Sequence, residues 1–264
     1  RSTARVALAE RRKGRNRLLT MRSEAIGPSG DVRRALGALL GAVKPGAAEV
    51  IGVVPREHVL TRVLKFPTTQ TTELASMVEL YAKAQLPYPR EQMVIDFHVV
   101  QQREGFSTVG VVACQREVVE RSLDLLRHAG FSTASITLSS WGVLGWYQLV
   151  RSRAQAGVVE EPTLVLNVDD TRTDLVLMAD GRMLSSRSVG QGAQDWETSG
   201  DTLELLAQEV ERSRTSARKE LSGTDVRSVL LTGVGAAAAG AEPLAQRLGV
   251  SVRYLDGRQP LMEQ

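Results

Sequence analysis

The sequence predicts an α/β protein built from two related halves, and three observations predict it. Short apolar strands alternate with amphipathic helices along most of the 264 residues. One series, a strand and hairpin followed by alternating helix and strand, occurs twice. The charged, small-residue segment Arg151–Glu161, with Pro162 after it, stands between the two occurrences. The expected division is 1–155 and 156–264, with an inserted subdomain at about 50–114 in the first half.

The elements follow in order. Arg5–Ala9 and Arg17–Met21 read as two strands joined by a basic turn. A helix over Asp31–Val43 places Val32, Leu36, Leu39, Leu40 and Val43 on one face, and Lys44-Pro45-Gly46 ends it. Glu49–Val54 is a buried strand and His58–Phe66 an alternating one. Thr71–Gln85 is a helix capped by threonine, with Glu73 in its first turn; Leu86-Pro87-Tyr88-Pro89 stops it. Strands Met93–Gln101 and Thr108–Cys114 are split by Glu104-Gly105, and helix Arg116–His128, strand Ser132–Thr137 and helix Ser139–Val150 close the first half.

The second half opens with the continuous apolar strand Thr163–Val168. Leu175–Met178 and Arg182–Leu184 form a hairpin around Asp180-Gly181. A helix over Thr202–Leu221 carries an apolar stripe. Strand Val229–Thr232, the glycine turn Gly233–Gly235, helix Glu242–Leu248 and strand Ser251–Leu255 follow.

Composition narrows the function classes. With 42% apolar and 24% charged residues the chain is an ordinary globular protein. No run approaches the roughly 20 apolar residues that cross a bilayer. Cys114 is the sole cysteine, so no intramolecular disulfide forms and a reducing compartment is the simplest home. The chain begins at Arg1 without a signal-peptide pattern and reads as trimmed at its start. Arg11, Arg12, Lys13, Arg15 and Arg17 gather at the first hairpin tip without interleaved aromatics, which reads as a solvated tip and not a nucleic-acid site.

No catalytic constellation emerges. His58, His98 and His128 lack metal-ligand spacing, and Cys114 closes an apolar strand. Gly233-Val234-Gly235 lies between a strand and a helix, with Asp256 ending the next strand, the order of parts in a dinucleotide fingerprint. Too few residues follow Asp256 to complete that fold, so a turn that lets strand and helix pack closely is the plainer reading. Asn167–Thr173 is an aspartate-rich turn after a buried strand, either a plain hairpin or a seat for a metal-bound phosphate.

Four segments together resemble the PilM family of pilus-assembly proteins and its type II secretion relatives, such as the GspL cytoplasmic domain. They are Val54–Arg62 ending at Phe66-Pro67; Glu79 into Leu86-Pro87-Tyr88-Pro89 and Val94–Phe97; Thr173–Leu175 with Asp180–Arg182 and Ser186–Gly190; and Leu230–Gly235. The resemblance implies an actin-like (RNase H-like) fold with a nucleotide cleft between two related domains. It places Asn167, Asp169, Thr171 and Thr173 in the second phosphate turn, and Thr232, Gly233 and Gly235 on the adenosine side.

The family pattern has aspartate, Val/Ile and glycine where this chain has Asn167, Val168 and Asp169. Glycine there lets backbone amides reach phosphates. An acid 4 Å from a phosphate costs roughly 4 kcal/mol at an effective dielectric of 20, about a thousandfold in affinity. Asn167 also removes charge that would hold magnesium. The expectation is therefore a non-catalytic adaptor at the cytoplasmic face of an inner-membrane pilus or secretion platform, with Mg-ATP as a weak cofactor at most. Its implied partner is the N-terminal tail of a PilN-like membrane protein, held by the first half and its inserted segment at about Val50–Cys114, with Arg56, Arg62 and Tyr88 as candidate contacts. Other platform proteins and the assembly ATPase are further partners; nucleic acid is not, and the membrane is met only through partners. The competing reading is an active actin-like ATPase or sugar-kinase relative; a filament-forming protein is a third.

Overall fold

The computed structural model of the protein describes residues 3–12, 15–27, 30–131, 134–153, 162–198, 201–221, 223–236 and 240–258. The expected domain boundary at 155/156 and the Lys13-Gly14 tip lie outside them.

The second half is one five-stranded sheet. β8 (Thr163–Val168) lies at its centre, flanked by β9 (Thr173–Ala179) and β10 (Arg182–Val189) on one side. β11 (Ser228–Thr232) and β12 (Ser251–Tyr254) lie on the other. β8 runs antiparallel to β9 and parallel to β11, and it is continuously apolar because both its faces are covered. Leu164, Leu166 and Val168 meet α6 (Thr202–Glu220) and α7 (Ala241–Leu248). Val165 meets the opposite layer, where α4 (Ser139–Arg153) sets the fully buried Tyr147. The helix that ends the first half thus completes the core of the second. The short helix α5 (Ala193–Thr198) was not foreseen; at six residues it leaves too little periodicity to read.

In the first half, β1 (Thr3–Arg12) and β2 (Arg15–Ala25) pair antiparallel under α1 (Val32–Val43), whose N-terminus is capped by the Asp31 carboxylate. β3 (Val50–Val54) pairs instead with β7 (Ala134–Leu138), in parallel, beneath α3 (Arg116–His128). The segment between those paired strands forms a sheet of its own, the insert. It consists of β4 (Val59–Phe66), α2 (Thr71–Gln85), β5 (Met93–Arg103) and β6 (Phe106–Gln115), with β6 in the middle of a three-stranded antiparallel sheet.

Local chemistry sets these elements. Two of the two-residue hairpin turns, Glu104-Gly105 and Asp180-Gly181, hold positive φ at both positions, the geometry that matches strand twist. The expected threonine cap on α2 is not made: its N-cap is Gln70, without a side-chain cap hydrogen bond, and the threonine that braces the preceding turn is Thr68. Its hydroxyl accepts the Gln70 amide at 3.1 Å and donates to Glu73, tying the turn to the helix start.

Candidate functional site

The residues expected around a nucleotide do converge. β11 runs beside β8 with Thr232 opposite Asn167, so the glycine turn after one strand abuts the aspartate turn after the other. The Gly235 amide donates to the Val168 carbonyl at 3.0 Å. Gly233 has φ +102°, and a β-carbon there would overlap the Val168 carbonyl and crowd Asn167. Thr232 and Thr173 are buried, and Thr173 Oγ1 donates to the Gln191 carbonyl at 2.6 Å. Thr171 is exposed at the tip of the turn.

A third strand-end joins them, unannounced by the sequence. The Ala193 and Gln194 amides donate to the carbonyls of Asp169 and Asp170, both at 2.9 Å, and Gly192 has no room for a side chain beneath Thr171 and Arg172. The glycine pair at Gly190 and Gly192 was its only trace in the sequence.

Asp169 is ion-paired across the two halves. Arg5 of β1 crosses from the first half and holds Asp169 at 2.8 Å and Asp170 at 2.6 Å, with Thr3 Oγ1 donating to Asp170 at 3.1 Å. Arg172 forms a second crossing pair with Glu57. The acid at position 169 therefore has a cationic partner from the same chain, which the sequence did not announce. Among the described residues, no three His, Cys, Asp or Glu side chains gather closely enough to hold a metal ion.

The three expected partner contacts do not form one surface. Arg56 is 8% exposed, and it donates to the Ser186 carbonyl and hydroxyl, Thr61 Oγ1 and the Val59 carbonyl. Burial lowers its pKa, and Asp174 opposes that shift. Asp174, pushed up by its own burial, accepts from Ser139 Oγ at 2.9 Å, and Ser139 in turn accepts the Arg56 amide at 3.0 Å. Arg56 is thus an internal fastener between insert and second half, since a buried guanidinium must fill its donors. Arg62 is exposed, and its pairing with Val111 puts it on the α2 face of the insert. Tyr88 is exposed in the loop after α2.

The opposite face of the insert borders a groove that sequence reasoning missed. Strand alternation turns Val94, Asp96 and His98 of β5 and Val112 and Cys114 of β6 toward β3, β7, α3 and Trp141. They enclose about 340 Å³. His98 lies against Gly110, where a β-carbon would overlap its ring, and meets Trp141 edge-on at 4.4 Å. Burial lowers the His98 pKa and raises that of Cys114.

Comparison with known proteins follows from this geometry. The family model for the type IV pilus assembly protein PilM matches residues 21–199. The chain is similar to the solved PilM-PilN type IV pilus biogenesis complex, with TM-score 0.81, 20% identity, and coverage of 99% of this chain and 87% of that one. It is also similar to the cytoplasmic domain of EpsL, an inner-membrane component of the Vibrio cholerae type II secretion system. There the TM-score is 0.51, with 16% identity and coverage of 86% and 76%. A Bacteroides thetaiotaomicron protein with an actin-like ATPase fold and unknown function gives TM-score 0.51, 11% identity and coverage of 94% and 83%. At these identities the structures establish the fold, which is actin-like. The family match takes in more than half of the chain, which therefore belongs to the type IV pilus assembly protein PilM family.

Proposed function

We propose that this protein is a non-catalytic adaptor of a type IV pilus or type II secretion platform at the cytoplasmic face of the inner membrane. In this reading it binds the N-terminal tail of a PilN-like membrane protein in the groove between insert and first half. The groove is the observation that carries the reading. Its apolar walls come from two subdomains, and β5 beside it is an edge strand of the insert's sheet. An extended segment adds to such an edge through main-chain hydrogen bonds and sets alternate side chains into the adjoining pocket. Family membership and the likeness to a structure solved with PilN support this choice of partner.

The cleft supports a scaffold over an ATPase. Arg5 already pairs with both carboxylates of the turn on which phosphates would sit. A nucleotide must break those pairs without a glycine at 169 to offer its backbone. The test is calorimetric titration of the synthetic tail of the cognate PilN-like protein into this protein and into a Val94→Trp variant, which fills the groove. The reading expects micromolar one-to-one binding, lost in the variant. A tail that ignores the wild type, or binds both alike, would end it.

A further inference from the structure

β5 carries an exposed acid on the face that borders the groove. Val94, Asp96 and His98 face the groove, while Ile95 and Phe97 pack with α2. Asp96 stands across from Val112 and lines the same cavity as Val119 and Trp141. No Lys or Arg lines that cavity among the described residues. The one hydrogen bond of the carboxylate is local: Oδ1 accepts the Phe97 amide at 2.8 Å. An exposed carboxylate at the rim of apolar walls, with no Lys or Arg among the residues that line them, is available to pair with a cation brought from outside, a contact of the modest strength of a surface pair that still discriminates between charges.

We infer that Asp96 reads a basic residue of the segment that docks in this groove. The occupant is an extended peptide with an aliphatic or aromatic side chain near Val94 and an Arg or Lys two residues away, against Asp96. Two-residue spacing follows from the strand period, which returns side chains to one face at every second position. Docking along β5 also brings a backbone acceptor to the Phe97 amide, which releases the carboxylate to the cation. The inference rests on the peptide-groove reading of the proposed function and adds to it the charge that the groove selects.

The experiment is an array of octapeptides with alternating Leu and Val, one position varied through every amino acid, probed with the wild type and with Asp96→Asn, Asp96→Lys and Val94→Trp. The wild type should favour Arg or Lys at the varied position at least fivefold over Glu. Asp96→Asn should abolish that preference, and Asp96→Lys should reverse it toward Asp or Glu. Binding that shows no basic preference, yet is lost in Val94→Trp, overturns the role of Asp96 and leaves the groove reading standing. Absence of binding throughout overturns both. Sedimentation that shows self-association of the wild type, abolished by Val94→Trp, would make a second copy the occupant and would also overturn the inference.

Discussion

Arg5 of β1 reaches across the cleft to Asp169 in the turn after β8, with Nη2 2.8 Å from Oδ1. The pair is half open to water, with side chains 29% and 48% exposed, so it adds little stability by itself. Its weight is positional, because in the proposed reading the guanidinium and the carboxylate stand where a nucleotide's phosphates would sit. Mg-ATP at millimolar concentration should give no calorimetric saturation with the wild type. Asp169→Gly, which removes the acid and restores backbone access, should bind at least tenfold more tightly, about 1.4 kcal/mol. Equal affinity in both proteins would show that Asp169 is not in the phosphate path.

Arg56 is the opposite case, a charge whose surroundings were built for it. Truncation removes the guanidinium donors from the Ser186 carbonyl (which keeps only Thr61 Oγ1), from Thr61 Oγ1 and from the Val59 carbonyl, and it takes the nearby cation from Asp174. Arg56→Ala should lower unfolding stability by about 3–5 kcal/mol in urea titration. Arg56→Lys should recover little, since a single ammonium cannot span acceptors that a planar fork reaches together. A loss under about 1 kcal/mol would remove Arg56 from the set of fasteners.

His98 makes stability depend on pH. Burial holds its folded pKa below the ordinary imidazole value, although the nearby Asp96 charge opposes that shift. Between the folded value and the unfolded value near about 6.5, the unfolded chain binds more protons than the folded one. Stability is therefore fully present above about pH 6.5 and falls as the pH drops through that window. His98→Phe should flatten this slope in urea titrations between about pH 5 and 7. A wild-type profile that rises toward acid in this range would contradict the assignment.

What the sequence made legible was what neighbouring residues decide. Asp180-Gly181 and Glu104-Gly105 mark their hairpins because the left-handed backbone is a local demand, and Thr163–Val168 reads as central because both its faces are apolar. The parallel pairing of Val50–Val54 with Ala134–Leu138 was not legible, since its partner lies beyond the whole insert. The two cleft turns were legible through their glycines and acids, but Arg5 was not, because nothing local to β1 announces a carboxylate in the other half. Arg56 looked like a surface contact for the same reason: Ser186, which buries it, is distant in sequence. The groove was hidden because its walls meet only in the fold: Val94, Asp96 and His98 of β5 face Ile136, Leu138 and Trp141, which follow the whole insert in sequence.

Cys114 reports on the groove without any added label site. It is the sole cysteine, it lines the cavity, and its thiol is buried with Sγ 3.4 Å from the His58 carbonyl. Burial raises its pKa, so the thiolate that attacks an alkylating reagent is scarce at neutral pH. Iodoacetamide at pH 7.5 should modify the folded protein at least tenfold more slowly than the urea-unfolded chain, as followed by intact mass. Above the ordinary thiol value near about 8.5 the folded-state rate should keep climbing after the unfolded rate has levelled, because the folded group titrates later. A tail seated in the groove covers the same sulfur and should slow labelling at least fivefold further. Val94→Trp should show that slow rate without any tail and gain nothing from adding one. Fast labelling of the folded wild type, unaffected by the tail, would mean that the space beside Cys114 is open and that the partner binds elsewhere.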